Sequence, residues 1–365
     1  MSVREAMIVA GGAGTRLRPL TDTVPKPLVP FCTEPFLAGV LHRLAAAGVD
    51  RVWLVVGADP APFAVLEPVA ARLGMTLEAV PEPEPLDTAG GVRAVIDRCE
   101  GSVLVLNGDV LTDVDLAEVA RRHAAAGADA SLVLTRVPDT SSFGVCVLEG
   151  DRITGFVEKP PPGTLPGHDT VNAGTYVLEP AALAAFPAGR PLSFEREVFP
   201  GLVADGARVQ GIVSDAAWAD LGTPERYLDG HRAALDGELD WPALDRHPAD
   251  AAGIRRGRDV EVADSARLMG PVLLAEGVRV GPGARVGPHV VAGPGTVLGA
   301  DVEVAASVLG EGTRLGPRGK LRHLATGSAA HLGADVVVTG PVLVADGARL
   351  PDGSVRGPSQ HVPRG

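Results

Sequence analysis

Aromatic side chains, long apolar runs and tracts of Lys or Arg are all scarce in this chain. Only 4% of its 365 residues are aromatic, and its formal net charge is -12. An acidic chain without a basic tract lacks the electrostatic footprint of a nucleic-acid-binding protein. The apolar run Ala6–Ala10 is shorter than a signal-peptide core or a membrane span, and glycine follows it. We therefore expect neither nucleic acid nor a membrane as a partner.

Cysteine is rare as well. The three cysteines, Cys32, Cys99 and Cys146, are isolated and widely spaced. This spacing matches neither a disulfide framework nor the ligand pattern of a zinc site. We expect reduced cysteines in a cytoplasmic protein.

Residues 1–236 alternate between short apolar runs and helical patterns. Hydrophobic residues make up 45% of the chain and charged residues 21%, as in an ordinary globular protein, and the length favours two domains. Helical spacing occurs over 37–45, where Gly48 would end the helix, and over 117–126, and a helix start is expected at Thr223. The apolar runs are Met7–Ala10, Val52–Val56, Val103–Leu106 and Ala130–Arg136. Such runs are typical of strands buried on both faces, which predicts an α/β, Rossmann-like, mostly parallel sheet with ligands at its carboxyl edge.

A different pattern follows the polar segment 237–257, which we interpret as a linker. Over 258–365 glycine recurs with a period of six, each time after an apolar residue, and the period resumes after a slip of one position. The glycines are Gly281, Gly287, Gly293, Gly299, Gly310 and Gly316. This hexapeptide repeat predicts a left-handed parallel β-helix, the alternative being a Gly- and Pro-rich linker. Because the open ends of a β-helix must be covered, we expect a homo-oligomer assembled through this domain.

A bare glycine loop, GGAG at residues 11–14, follows the first predicted strand. Leu17 stands where a dinucleotide-binding G-x-G-x-x-G needs glycine, and a P-loop signature is missing too. The loop instead offers backbone N–H groups to a nucleotide, with Arg16 as a bidentate phosphate ligand. Lys26 lies between Pro25 and Pro27, which fix its backbone, so its ammonium can be held in place to stabilise phosphate charge.

Two carboxylates are candidates for a metal site. Asp109 follows the apolar run Val103–Leu106 through Asn107-Gly108, where it would leave the end of the sheet, although an aspartate after glycine is also common in turns. Asp220 precedes the predicted helix start at Thr223. Two carboxylates with phosphate oxygens and water suit Mg²⁺, which would let acidic groups lie beside a triphosphate.

The stretch GGAGTRLRPLTDTVPKPLVP, residues 11–30, resembles the signature of the sugar-1-phosphate nucleotidyltransferases. Further segments resemble that family in the same order and together span the first domain. They are EPLDTAGG at 84–91, LNGDV at 106–110, FVEKP at 156–160, VNAG at 171–174 and WADLGTP at 218–224. By its own chemistry Lys159 is either a solvated surface lysine or a cation positioned by Glu158 and the prolines that follow.

The resemblance implies roles for individual residues of a nucleotidyltransferase domain over 1–236. It implies that a sugar 1-phosphate attacks the α-phosphorus of a nucleoside triphosphate in line and that pyrophosphate leaves. It assigns catalysis to Arg16 (pyrophosphate), Lys26 (α-phosphate), Lys159 (sugar phosphate) and Asp109 with Asp220 (Mg²⁺). It places the nucleotide at Ala10, Gly11, Gly12, Gly14, Thr15, Arg16, Lys26, Asp87, Thr88 and Gly90, and the sugar at Gly108, Glu158, Lys159, Asn172 and Gly174.

Within this family the chain most resembles the mannose-1-phosphate guanylyltransferases, which make GDP-mannose from GTP. The resemblance rests on the PL-x-T-A-G-G loop, on the segment SFEREVFP at 193–200 and on the hexapeptide domain. Asp87 departs from the glycine that is common in that loop. It could accept hydrogen bonds from guanine or face solvent as a turn residue, and both possibilities stay open here.

Three alternatives remain at the level of the sequence. The transferase could use another base or sugar, such as dTTP or UTP with glucose 1-phosphate. The β-helix could be an acyltransferase with His289, His323 or His331 as base, although each is expected to face solvent on a coil turn. The chain could also be a non-catalytic regulatory or scaffold relative, against which the presence of all five charged catalytic positions counts.

Overall fold

The chain forms two compact units. The structure, a computed structural model, describes residues 3–12, 14–165 and 167–364. By the density of backbone contacts, one unit comprises residues 1–12 and 40–218, and the other comprises 13–39 and 219–365. The sequence-based boundaries 1–236, 237–257 and 258–365 follow the strand and repeat patterns instead, and they stay a prediction.

The first unit is built on a nine-stranded sheet. Its strands are β1 (Glu5–Val9), β2 (Arg51–Val56), β3 (Thr76–Pro81), β4 (Val103–Asn107), β5 (Ala130–Arg136), β6 (Gly144–Glu149), β7 (Arg152–Glu158), β8 (Thr170–Leu178) and β9 (Val209–Val213). The strand order is β3-β2-β1-β4-β8-β5-β9-β7-β6. The predicted Rossmann-like sheet is confirmed, and its parallel half is β3-β2-β1-β4, while β8 and the β6–β7 hairpin run antiparallel to their neighbours.

The helices lie largely where the periodicity predicts them. They are α1 (Phe36–Ala46), α2 (Glu67–Arg72), α3 (Asp87–Val95), α4 (Leu116–Ala126), α5 (Pro180–Ala184), α6 (Phe199–Ala204) and α7 (Pro224–Asp236). Helix α7 begins as predicted, because the Thr223 side chain accepts a hydrogen bond from the amide of Arg226 and proline occupies the first turn. Gly48 has φ of +87° in the turn after α1, which explains the glycine there.

Shorter elements connect these helices and strands. The short strands outside the β-helix are Pro30–Phe31, Glu34–Pro35, Val110–Thr112 and Trp218–Asp220. The 3₁₀ turns are Thr15–Leu17, Leu20–Asp22, Lys26–Leu28, Ala61–Leu66, Ile96–Arg98 and Pro242–Arg246, and Phe194–Val198 is a π-helical turn. No helix among the described residues is long and apolar enough to cross a membrane.

The C-terminal part of the second unit is a parallel β-helix with three faces, consistent with the left-handed form predicted. Each face is a six-stranded parallel sheet. The first face comprises Ile254–Arg256, Val272–Leu274, Val290–Ala292, Ser307–Leu309, Leu324–Thr326 and Val342–Val344. The second comprises Glu261–Val262, Arg279–Val280, Val297–Leu298, Arg314–Leu315, His331–Leu332 and Arg349–Leu350. The third comprises Arg267–Leu268, Arg285–Val286, Glu303–Ala305, Lys320–Arg322, Val337–Val338 and Val355–Arg356.

The hexapeptide period has a steric cause. The aliphatic residue before each repeat glycine points into the coil, so that Val286 is 0% exposed and Leu298 1%. A Cβ on Gly299 would lie 2.7 Å from the carbonyl oxygen of Leu315 in the next coil, so the stacking leaves no room for a side chain. The slip of one position is real, because Leu298 pairs with Leu315 rather than with the residue that follows it.

The segment predicted as a linker is partly ordered core. Trp241 is 2% exposed and stacks on Phe36, with ring centroids 5.3 Å apart. The bare Gly39 makes this contact possible. The first strand of the β-helix, Ile254–Arg256, also lies inside the segment 237–257. The polar composition hid both features, since one tryptophan among charged residues gives no periodic signal.

Candidate active site

The glycine loop leaves β1 at the carboxyl edge of the parallel half-sheet. The amide of Ala10 donates to the Val55 carbonyl at 2.7 Å, which ties the start of the loop to β2. Gly11 and Gly12 are exposed, as backbone that must approach a ligand requires. Ala13, the third residue of the quoted loop, lies outside the described residues.

The second unit carries the other end of this loop. Gly14 has φ of +58°, and a Cβ there would lie 2.8 Å from the Cβ of Lys26. Both the backbone conformation and the close contact therefore favour glycine at this position. The Thr21 hydroxyl donates to the Gly14 carbonyl at 2.8 Å. Thr15 and Arg16 stand exposed in the 3₁₀ turn that follows.

Lys26 is held as its flanking prolines predict. It opens the 3₁₀ turn Lys26–Leu28, in which Pro27 takes part, and its side chain is only 8% exposed. Its Nζ lies 3.4 Å from Oδ1 of Asp220. A lysine with so little freedom presents its ammonium at a fixed place.

Asp220 is surrounded by cations. Besides Lys26, Nη1 of Arg226 donates to its Oδ2 at 2.8 Å, and Nη2 of Arg16 lies 3.8 Å from the same oxygen. Sequence reasoning missed Arg226, which follows Asp220 at the start of α7. The sequence could have pointed to Arg226, because it lies in the first turn of the helix predicted to start at Thr223.

Asp109 lies where the strand pattern puts it, in the turn between β4 and the short strand Val110–Thr112. The bare Gly108 before it lets the chain pass close to β1, since a Cβ there would lie 2.8 Å from the Val9 carbonyl oxygen. Among the residues the structure describes, no three or more His, Cys, Asp or Glu side chains gather as a metal site. Carboxylate oxygens are the ligands that Mg²⁺ prefers, and Asp109 in the first unit and Asp220 in the second each offer one such group.

Glu82 is the second residue that sequence reasoning missed. It directly follows β3 and is 8% exposed. A Cβ on Gly11 would lie 3.2 Å from its Oε2, which places the carboxylate against the nucleotide loop. Its Oε1 is shielded from solvent and packs against Gly91 and Val55, and the backbone amides of Leu86 and Gly91 approach the carboxylate. Burial raises the pKa of this carboxyl group. The sequence feature that could have pointed to Glu82 is an acidic residue directly after a strand, here the outermost strand of the parallel half-sheet.

Asp87 opens α3 with φ of +61°, a conformation that glycine, Asn and Asp tolerate best. Its Oδ1 accepts a hydrogen bond from the Thr88 amide at 2.8 Å, and its Oδ2 is paired with Arg196. This conformation explains why glycine is common at the position. Both oxygens of Asp87 therefore have structural partners, which favours a structural role for this side chain.

The rest of the loop is anchored to the segment 193–200. The Thr88 hydroxyl donates to Glu195 Oε2 at 2.7 Å and accepts from the Phe194 amide at 2.9 Å. A Cβ on Gly90 would lie 2.9 Å from the Arg190 carbonyl oxygen, so the loop also packs closely on the residues just before this segment. The contacts of Thr88 tie SFEREVFP to the PL-x-T-A-G-G loop.

Glu158 and Lys159 end β7 beside each other. Lys159 has φ of +45°, and its amide donates to the Phe143 carbonyl at 3.0 Å. Its Nζ lies 3.2 Å from Glu158 Oε1, and its side chain is 65% exposed. The backbone is thus fixed while the ammonium remains accessible to a substrate.

Asn172 and Gly174 form an irregularity in β8, where its register against β5 shifts. Asn172 Oδ1 accepts from the Gly174 amide at 2.9 Å, and its Nδ2 donates to the Tyr176 hydroxyl at 2.8 Å. Trp218 donates to the Ala173 carbonyl between them at 2.9 Å. The strand therefore bends where the sugar is expected.

The predicted site residues divide between the two units. The first unit carries Ala10, Gly11, Gly12, Asp87, Thr88, Gly90, Gly108, Asp109, Glu158, Lys159, Asn172 and Gly174. The second carries Gly14, Thr15, Arg16, Lys26 and Asp220. Within the second unit the structure brings Arg16, Lys26 and Asp220 together, a contact that distant sequence segments could not reveal.

A parallel half-sheet in the order 3-2-1-4, with a glycine loop and a turn carboxylate at the carboxyl ends of its strands, is the arrangement of a nucleotide-binding α/β protein. The chain belongs to the nucleotidyl transferase family, whose sequence model matches residues 5–237.

Similar proteins agree with this assignment. The chain is 39% identical over 282 residues to a mannose-1-phosphate guanylyltransferase of Mycobacterium tuberculosis, covering 76% of this chain and 77% of that protein. It is 35% identical over 287 residues to the probable mannose-1-phosphate guanylyltransferase 2 of Arabidopsis thaliana, covering 76% and 73%. These relatives confirm the predicted resemblance to a sugar-1-phosphate nucleotidyltransferase of the mannose-1-phosphate guanylyltransferase type.

Solved structures share the fold. HddC from Yersinia pseudotuberculosis, crystallised with GMP-PN, superposes with a TM-score of 0.52 at 26% identity, over 62% of this chain and 98% of that one. A putative glucose-1-phosphate thymidylyltransferase from Bacillus anthracis gives 0.57 at 19% identity, over 64% and 95%. The second likeness concerns the fold alone.

Proposed function

We propose that this nucleotidyltransferase transfers GMP from GTP to mannose 1-phosphate, which gives GDP-mannose and pyrophosphate. The names of the relatives support this choice of substrates. They do not favour dTTP, UTP or another sugar.

The buried carboxylate of Glu82 is the observation that carries the choice of base. It lies against the nucleotide loop at Gly11, and its Oε1 is shielded from solvent. Guanine presents two neighbouring donors, N1–H and the 2-amino group, to a pair of carboxylate oxygens. The carboxylate is held in place by the backbone amides of Leu86 and Gly91, and its Oε2, which faces the loop, can accept from such donors.

The chemistry requires no general base. A phosphate oxygen of mannose 1-phosphate, already anionic at neutral pH, attacks the α-phosphorus, and the bond to the β-phosphate oxygen breaks as pyrophosphate leaves. The protein has to bring two anions together and stabilise the charge of the transition state. We assign Lys159 to the sugar phosphate, Lys26 to the α-phosphate and Arg16 to the pyrophosphate.

We further propose that Asp109 and Asp220 hold Mg²⁺. When bound, the ion would neutralise charge on the phosphoryl oxygens. Glu158, Asn172 and Gly174 would contact the sugar, and the glycine loop with Thr88 would contact the nucleotide.

Initial rates of pyrophosphate release test this function. GTP, dTTP, UTP, ATP and CTP are each offered with mannose 1-phosphate and with glucose 1-phosphate. We expect GTP with mannose 1-phosphate to give the highest kcat/KM. If another pair turned over while GTP with mannose 1-phosphate gave no pyrophosphate, the substrate assignment would be refuted. The reaction type would still hold.

We also propose a cytoplasmic homo-oligomer assembled through the β-helix. The free thiols of Cys32, Cys99 and Cys146 suit a reducing compartment.

Residues 254–365 contain 13 Lys and Arg against 10 Asp and Glu, whereas the rest of the chain contains 20 against 35. The third face of the β-helix carries exposed Met269 and Val355. The charged residues that line a groove of about 650 Å³ on it are Arg267, Arg285, Lys320 and Arg322 with one carboxylate, Glu303, which pairs with Arg285. A basic face of this kind complements the acidic surface of a second copy.

A further inference from the structure

Three cations of the second unit converge on one carboxylate. Lys26 approaches Oδ1 of Asp220, at 3.4 Å. Arg226 and Arg16 approach Oδ2, at 2.8 and 3.8 Å. Carboxylate and phosphoryl oxygens are both acceptors for such donors. Asp220 therefore neutralises these cations as a substrate phosphate would.

The local backbone is shaped for this cluster. A Cβ on Gly222 would lie 2.6 Å from Oδ1 of Asp220 and 2.7 Å from Nη2 of Arg16, so a side chain there would displace one of these groups from its present position. Arg226 is fixed by the capped first turn of α7. Asp220 is 20% exposed and Lys26 8%, so solvent screens this pair less than it screens the pair with Arg16, which is 63% exposed.

We propose that Asp220 is an internal anion that neutralises Lys26 and Arg16 in the empty enzyme, and that a triphosphate must displace it from them. Arg226 is then a positioning residue. It competes with Lys26 and Arg16 for Asp220 and so makes the displacement easier. This inference rests on the proposed function, because that function assigns Arg16 and Lys26 to phosphate.

The inference has a consequence that a simple metal ligand would not have. Asp220→Asn removes the competing anion, so binding of inorganic pyrophosphate without any metal should become tighter, by about tenfold for a difference of 1.4 kcal/mol. In Arg226→Ala, Asp220 pairs more strongly with Lys26 and Arg16. The affinity for metal-free pyrophosphate should therefore fall several-fold.

Calorimetric titration with inorganic pyrophosphate in EDTA measures these affinities on the full chain. The double variant Asp220→Asn/Arg226→Ala separates positioning from simple charge. If Arg226 acts through Asp220, its removal has no effect once Asp220 is neutral, whereas a direct effect on the anion would persist. Asp22→Asn, in an exposed pair with Arg18, controls for general charge, and Arg226→Lys should retain most of the wild-type affinity.

The outcomes separate the two proposals. Unchanged or weaker binding by Asp220→Asn, or an equal loss from Arg226→Ala in both backgrounds, overturns the inference. No pyrophosphate binding by any of the proteins overturns the inference together with the assignment of Arg16 and Lys26 to phosphate. If the affinities are as predicted but the enzyme does not turn over GTP with mannose 1-phosphate, only the choice of substrates is refuted.

Discussion

Two acidic side chains of the first unit, Asp87 and Glu82, differ in their partners and in their burial. Asp87 takes a left-handed conformation and has structural partners for both oxygens. Glu82 is buried and is approached by the backbone amides of Leu86 and Gly91. A sequence shows both as acidic residues, and only the structure shows that Asp87 is paired with Arg196 while Glu82 lies buried against Gly11.

Glu82→Gln should shift nucleotide preference. An amide replaces one acceptor by a donor, which suits the N3–H and carbonyl edge of thymine or uracil better than the two donors of guanine. We expect kcat/KM for GTP to fall by about 5- to 150-fold, as a buried donor without its acceptor costs about 1–3 kcal/mol. The ratio of UTP or dTTP to GTP turnover should rise. An unchanged ratio would remove Glu82 from the base pocket, and Asp87→Gly serves as the control that should leave the ratio unaltered.

Asp109→Asn should abolish turnover at any magnesium concentration, since a neutral amide is a poor ligand for Mg²⁺. The melting temperature should stay close to that of the wild type, because Asp109 lies in a turn and not in the core. Pyrophosphate release over a magnesium titration measures this. A near-normal rate would exclude Asp109 from the metal site.

His231 should make the protein acid-sensitive. It is 2% exposed, and its Nδ1 donates to the Tyr227 carbonyl while its Nε2 accepts from the Cys32 amide. Burial lowers its pKa from 6.5 to about 4. The unfolded chain therefore binds a proton first, and stability is lost as pH falls from about 6.5 to 4, by up to about 3 kcal/mol.

Melting temperatures measured from pH 7.5 to 4 test this dependence. His231→Gln should be less stable at pH 7.5 but should lose less stability in acid. The exposed His331→Gln is the matched control and should keep the wild-type slope. Equal slopes for all three proteins would contradict the assignment.

At the scale of elements, the periodic parts of the chain were predictable and the contacts between distant segments were not. The strands β1, β2, β4 and β5 and the hexapeptide coils follow from period and composition, because burial on both faces and coil stacking each impose a repeated local pattern. The pairing of Arg196 with Asp87, the convergence of Arg226 on Asp220 and the packing of Trp241 on Phe36 depend on folding. No local rule encodes them.

Gly299→Ala should destabilise the β-helix, since its Cβ would lie 2.7 Å from the Leu315 carbonyl oxygen. Overpacking of this kind costs about 1–3 kcal/mol. Gly319→Ala is the matched control, because its nearest neighbour would be 3.5 Å away. Urea unfolding of the two variants checks the difference. Equal stability would show that the coils can separate to admit a methyl group.

At the scale of the whole molecule, the charge asymmetry predicts a salt-sensitive assembly. The reversals Arg285→Glu and Lys320→Glu on the third face of the β-helix should shift the mass measured by light scattering towards the monomer. Raised salt should do the same, because it screens exposed charges. Arg314→Glu, exposed on the second face, is the control and should leave the mass unchanged. A wild-type monomer at all concentrations and salt levels would refute assembly through this face.

The central claim is that fixed cations and one divalent ion hold two mutually repelling substrates together. A crystal structure with GDP-mannose and Mg²⁺ tests it most directly, through the distances from three side-chain nitrogens to the phosphoryl oxygens. We predict that Arg16, Lys26 and Lys159 lie within hydrogen-bonding distance of phosphate groups or of the pyrophosphate site, with the ion on Asp109 and Asp220. A product-bound structure in which all three cations point away from the phosphoryl oxygens would contradict this account.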